Sequence, residues 1–199
     1  VTLEYRLSSS QISPFLKGVI DSMGLGPNEL HPPMEQWGRY YLGEMPGMFR
    51  RSGRGDVHWP RLAASTRASY RAKGIQGALP LFRTGEILHS IKAGAVSGFG
   101  TSELRVSSDD WLAKLHHHGA LIPAHTIVPK NAKALRFRSG GAWVFAKKVN
   151  IPFTEIPERP ILFITAQDQA KAETILRTYL LKKMTNWRPN PTVSAEAFA

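Results

Sequence analysis

Cysteine is absent from all 199 residues of this chain. Disulfides, cysteine-based zinc sites and thiol catalysis are therefore excluded. Apolar runs of the roughly 18 residues that a membrane-spanning helix needs are also missing. The segment Val1 to Leu7 carries Glu4 and Arg6 and lacks the apolar centre of a signal peptide. Catalytic signatures fail as well. There is no G-x-S-x-G elbow and no G-x-G-x-x-G leading into a helix. "RRSGRGDVHWP" is Gly-rich but lacks the Lys-Ser/Thr ending with which a phosphate loop reaches phosphate and magnesium. The RGD within it reads as a chance tripeptide, and no internal repeat is present.

Acid is the last thing missing, and it is missing locally. Residues 1–60 hold six Lys/Arg and six Asp/Glu, whereas residues 61–199 hold twenty against nine and so carry the whole net charge of +11. Two stretches have no acid at all. Val57 to Gly85 has five basic residues; Trp111 to Thr154 has seven, namely Lys114, Lys130, Lys133, Arg136, Arg138, Lys147 and Lys148. Such a surface suits a polyanion or an acidic protein, and the competing reading is a solvated face without a partner. The length allows one sizeable domain or two small ones.

Periodicity predicts an α+β chain. Ser13-Pro14 reads as a cap and first position of a short helix reaching Ser22, ended by "MGLGPN". A second helix is expected over Pro33 to Phe49, with Met34, Trp37, Tyr41, Met45 and Met48 on one stripe. A third is expected over Pro60 to Ala72. A short one, "LFRTGEILHSI", is expected to be capped by the Thr84 hydroxyl. After Ile91 the period changes to two, predicting a hairpin that turns near Gly98 to Thr101. "KALRFR" and "GAWVFAKKV" give two further strands turning at Gly140-Gly141, with Leu135 and Phe137 facing a core and Arg136 and Arg138 facing out. These add up to a small antiparallel sheet of about four strands with one basic face. It is expected to pack against a long C-terminal helix, "TAQDQAKAETILRTYLLKKM", opened by a Thr165–Asp168 capping box. The expected organisation is an N-terminal helical segment (1–58), an α+β body (59–184) and an extended C-terminal arm (185–199), together one structural domain.

Four of the seven histidines lie in "DDWLAKLHHHGALIPAHT". Asp109 or Asp110 should cap a helix here, with Trp111, Leu112 and Leu115 inward and Gly119 ending it. Neighbouring helical residues diverge by about 100°, so His116, His117 and His118 cannot converge on one ion. Capping or packing is the expected role, and no metal, cofactor or catalytic residue is assigned.

Four segments in order then carry a resemblance. They are Trp59-Pro60-Arg61-Leu62 with Thr66; Thr84-Gly85-Glu86-Ile87 with Ser90-Ile91; His116-x-x-Gly119; and Ile156-Pro157-Glu158-Arg159-Pro160-Ile161-Leu162. Together they resemble the virion morphogenesis family of phages, the tail-completion proteins of contractile-tailed and Mu-type phages. Ile87 stands where that pattern usually has leucine. The likeness spans about Trp59 to Leu162.

The resemblance implies a structural, non-enzymatic protein, assembled in the host cytoplasm and located in the virion neck. It implies a homo-oligomeric, hexameric ring that ends the tail tube and sheath and offers a head-docking surface. Its partners would be tube, sheath and head–tail connector proteins, with contact to packaged DNA and no membrane. Trp59, Thr84, Gly85, Ser90, His116, Gly119, Pro157, Arg159 and Pro160 would hold the fold. Lys130, Lys133, Arg136, Arg138, Lys147 and Lys148 would face a neighbour. The alternative reading is a basic nucleic-acid-binding module, supported by Phe137, Trp143 and Phe145 among the basic residues. Placing Phe137 in the core counts against it.

Overall fold

The computed structural model describes residues 2–8, 14–98, 101–139 and 142–186. Ser13, the expected turn residues 99–100 and 140–141, and residues 187–199 lie outside the described residues. The class is α+β: N-terminal helices, small β-ladders and a long last helix.

Helix α1 (Pro14–Ser22) is followed by α2 (Pro27–Arg51), which starts earlier than Pro33. Pro27 occupies the first helical position, and Glu29 reaches back to the Gly26 N–H at 3.0 Å. Pro32, Pro33 and Pro46 all lie inside this helix. Each costs about 3 kcal/mol in a helix interior. The compensation is an apolar stripe. Leu30, Met34, Trp37, Tyr41, Met45, Met48 and Phe49 are all buried, at about 1.5–3 kcal/mol per side chain. Pro33 also has no N–H to offer the Glu29 carbonyl one turn back. The Tyr179 hydroxyl of the last helix donates to that carbonyl instead.

The chain forms two compact units. The first comprises Val1–Tyr5, Leu42–Lys92 and Val106–Phe163; the second comprises Arg6–Tyr41, Ala93–Arg105 and Ile164–Ala199. In the second unit, α6 (Ala166–Asn186) begins with the expected capping box. The Thr165 N–H donates to Asp168 Oδ2 at 2.9 Å and the Asp168 N–H to Thr165 Oγ1 at 3.2 Å. Ala172, Ile175, Leu176 and Leu180 form its buried face. Gly38 allows a close approach in the same unit, since a Cβ there would lie 2.9 Å from Leu104 Cδ1. Residues 185 and 186 continue α6 and are not part of an extended arm.

In the first unit, Met45, Met48, Phe49, Trp59, Ile87, Ala113, Ile161 and Leu162 supply the core. The "RRSGRGDVHWP" segment is a tight hairpin, β2 (Gly53–Arg54) with β3 (Val57–His58). Arg54 is buried, so its tripeptide is not a displayed one. Helix α3 (Ala64–Ala72) starts later than Pro60 and buries nothing.

The strands expected in one sheet divide between two places. Strands β4 (Ile91–Gly98) and β5 (Thr101–Ser108) join an additional strand, β1 (Leu3–Ser8), in the order β1-β5-β4. Among the described residues, the strands between residues 120 and 156 pair only with one another, in two-stranded ladders.

Candidate functional site

Three of the four sequence segments meet in one clasp, and the fourth closes on a strand end. Trp59 is buried, and its indole Nε1 donates to the Pro160 carbonyl at 2.8 Å. Its ring stands edge-on to Phe49 with centroids 5.2 Å apart. Arg159 is buried too. Its Nε donates to the Pro60 carbonyl at 3.2 Å and its NH1 to the Pro157 carbonyl at 3.4 Å. Its backbone N–H donates to the His116 carbonyl at 2.7 Å. That bond satisfies one of the carbonyls a helix leaves free at its C-terminus. Burial pulls the guanidinium below its ordinary pKa.

Helix α5 (Trp111–His118) is capped by Asp110, whose Oδ1 accepts from the Leu112 N–H at 2.8 Å. Gly119 ends it, with φ of +66°. A Cβ at Gly119 would stand 2.8 Å from the Ile156 carbonyl oxygen, so the backbone crossing itself demands glycine. The helix buries Ala113, while Trp111 points outward, 68 % exposed, contrary to its expected inward position. One face of a short helix covers only a narrow stripe, and Ala113 is that stripe here.

The His117 and His118 rings stand edge to face with centroids 4.7 Å apart. His117 Nδ1 accepts from the backbone N–H groups of Ile161 at 3.0 Å and Leu162 at 3.3 Å. An acceptor nitrogen carries no proton, so His117 is neutral with its hydrogen on Nε2. Its pKa is lowered, by burial first and by His118 second, with Glu158 opposing. His116 is lowered by burial and by Arg159, and its buried Nδ1 has no partner among the described residues. Among the described residues no group of three His, Asp or Glu could hold a metal.

Around Thr84, sequence reasoning placed the cap one residue early. Helix α4 (Glu86–Ser90) has Gly85 at its N-cap, in the left-handed region with φ of +78°, and no side chain caps it. Thr84 is exposed and borders a cleft of about 600 Å³ that also touches His116 and Arg159. Ser90 Oγ donates to the Ile87 carbonyl at 2.7 Å, which uses its single hydrogen. The Ser108 hydroxyl must therefore donate to Ser90 across their 2.6 Å contact. Ser108, fully buried, was missed in the sequence. The signal was there, because the alternation of Leu104 and Val106 runs on to it.

From the clasp projects an arm. β6 (Ala120–Ile122) pairs with β11 (Thr154–Ile156), and β7 (His125–Ile127) with β10 (Val149–Ile151), in one unbroken register. Pro123 on one strand and Pro152 on the other fall at the gap between these ladders, where neither can donate a hydrogen bond. Beyond residues 128–134 and 147–148, β8 (Leu135–Ser139) pairs with β9 (Ala142–Ala146). Leu135 and Phe137 do not enter a core, as the sequence suggested; they are half-buried opposite Ala146 and Val144. Alternation separates two faces of a strand but supplies nothing to cover either one. Exposure of large apolar groups is concentrated here: Leu121 67 %, Trp143 56 %, Phe145 67 % and Phe153 59 %. Lys130, Lys133, Arg136, Lys147 and Lys148 are exposed among them or half-exposed. The Arg136 guanidinium lies 4.4 Å from the centre of the Trp143 ring. Arg138 is in register with Trp143.

Among the described residues no helix is long and apolar enough to cross a membrane. No family model, no curated protein and no solved structure matches this chain.

Proposed function

We propose that this chain is a structural component of a phage virion, acting at the head–tail junction. Its copies form a closed, hexameric ring that ends the tail tube and sheath and presents the surface on which the head docks. The observation that carries this reading is the division of labour within residues 57–163. The segments that resemble the tail-completion pattern are used up in holding the fold, through Trp59 to Pro160, Arg159 to Pro60 and His116, and Gly119 against Ile156. What they hold out is a two-stranded arm with exposed Leu121, Ile127, Val128 and Phe153 on its stem.

Isolated two-stranded ladders are marginal in water, and their unpaired edges invite another chain. A subunit built for a ring needs such a feature, because head-to-tail contacts repeat until the ring closes. On this reading the stem contacts the neighbouring copy, and the tube, sheath and connector proteins occupy the remaining faces.

Phage lacking this protein should make heads and tails that do not join. Lysates viewed by electron microscopy should show filled heads beside separate tails of irregular or excess length. Joined, infectious particles would reject the neck role, and a lysate without tails would move the role to tube initiation.

A further inference from the structure

The tip of the arm differs from its stem, and we infer that it is a contact site for duplex DNA. Three observations converge on β8 and β9. The first is charge. No acid occurs in sequence between residues 111 and 154. Among the described residues no ion pair engages Lys130, Lys133, Arg136, Lys147 or Lys148. A polyanion is the chemistry that such an uncompensated cluster attracts, and duplex DNA offers a phosphate about every 1.7 Å of axis.

The second is shape. Among the described residues the tip is a ribbon of two strands, with no third strand on either edge. Strands lie about 4.8 Å apart, so such a ribbon fits a major groove about 12 Å wide. Lys130 and Lys133 precede β8, while Lys147 and Lys148 follow β9. Because Leu135 pairs with Ala146, these four lysines gather at the base of the ribbon, where phosphates at the mouth of the groove would meet them.

The third is the face presented. Trp143 and Phe145 lie two apart on β9, on one side of the ladder, and both are exposed. Arg136, paired in register with Phe145, lays its guanidinium on the Trp143 ring. Arginine and apolar rings together are groove-reading chemistry: the guanidinium meets guanine edges, and the rings meet thymine methyls. The tip of a second copy fits it less well, because it carries the same cations and no acid to meet them.

The inference goes beyond the neck role and stands without it. Fluorescence anisotropy of the full chain with a labelled duplex of about 30 base pairs tests it. With four phosphate contacts, from Lys130, Lys133, Lys147 and Lys148, log affinity should fall against log salt with a slope of about −3.6, roughly a 150-fold loss between 50 and 200 mM. Arg136→Glu with Lys147→Glu should weaken binding at low salt at least about 30-fold and flatten the slope by about one. Trp143→Ala should weaken binding by about 10-fold at every salt concentration with the slope unchanged, since a ring releases no counterions. Both variants alter exposed groups, and unchanged urea midpoints should accompany these losses. No binding at 50 mM, charge-reversed protein that binds as well as wild type, or equal displacement by polyglutamate would overturn the inference, as would tighter binding to the single strand. Rings that form without DNA, from protein that ignores DNA, would remove this inference and leave the neck reading intact. DNA binding by protein that never forms rings would do the reverse.

Discussion

The clasp and the arm are neighbours in sequence, yet they solve opposite problems. In the clasp, the residues that tie the segments together face the protein itself. Trp59 and Arg159 are buried, each donating to a carbonyl about a hundred residues away along the chain. In the arm, strands pair, among the described residues, only with their partners across the ribbon, and large apolar groups face outward. Buried, mutually bonded residues set stability; exposed apolar and charged residues set what the protein meets. Substitutions should therefore separate the two regions cleanly, by unfolding in one and by lost association in the other.

The largest effect should come from Trp59→Ala. It removes a buried indole, its contact with Phe49 and the donor to Pro160, and should cost about 3–5 kcal/mol in urea unfolding. A loss below about 1 kcal/mol would mean that the clasp is not what holds residues 157–162 in place. Gly119→Ala should come next. It places a Cβ 2.8 Å from the Ile156 oxygen at a φ of +66°, and a strained backbone of this kind costs about 1–3 kcal/mol. Wild-type stability in Gly119→Ala would show that α5 and the base of the arm can shift apart.

Acid should loosen the clasp by a smaller amount. His116 and His117 are both held below their ordinary 6.5, with burial the first cause for each. As pH falls, the unfolded chain takes up these protons before the folded one does, so folding is penalised. The stability they contribute is fully present above pH 6.5 and is lost as pH drops from there through the lowered folded-state values. Protonated His117 also can no longer accept from Ile161 and Leu162. Urea midpoints measured from about pH 7 to 5 should fall in wild type and fall less in His117→Asn, which keeps an acceptor without the titration. Parallel curves for the two proteins would place the sensitivity elsewhere.

These contrasts also explain what the sequence made legible. The stripe of α2, the capping box at Thr165, the cap at Asp110 and the Gly119 stop were all readable, because each depends on residues close in the chain. The run of α2 back to Pro27 was not, because proline suggests a break and the compensating donor, Tyr179, is 150 residues distant. For the same reason His117 read as one of three ambiguous imidazoles: its partners at 161 and 162 are brought to it by the fold. The arm was misjudged in a different way. Leu135 and Phe137 alternate with arginine as core strands do, but periodicity does not reveal whether a layer exists to cover them.

The account stands or falls on the stem of the arm as a ring contact, and analytical ultracentrifugation tests this most directly. Wild-type protein should pass from monomer to one closed, larger species as concentration rises. Leu121→Ser with Phe153→Ser, two exposed changes, should change the unfolding free energy by no more than about 0.5 kcal/mol and remain monomeric at those same concentrations. Wild type that stays monomeric throughout, or a double variant that assembles as readily as wild type, would contradict it.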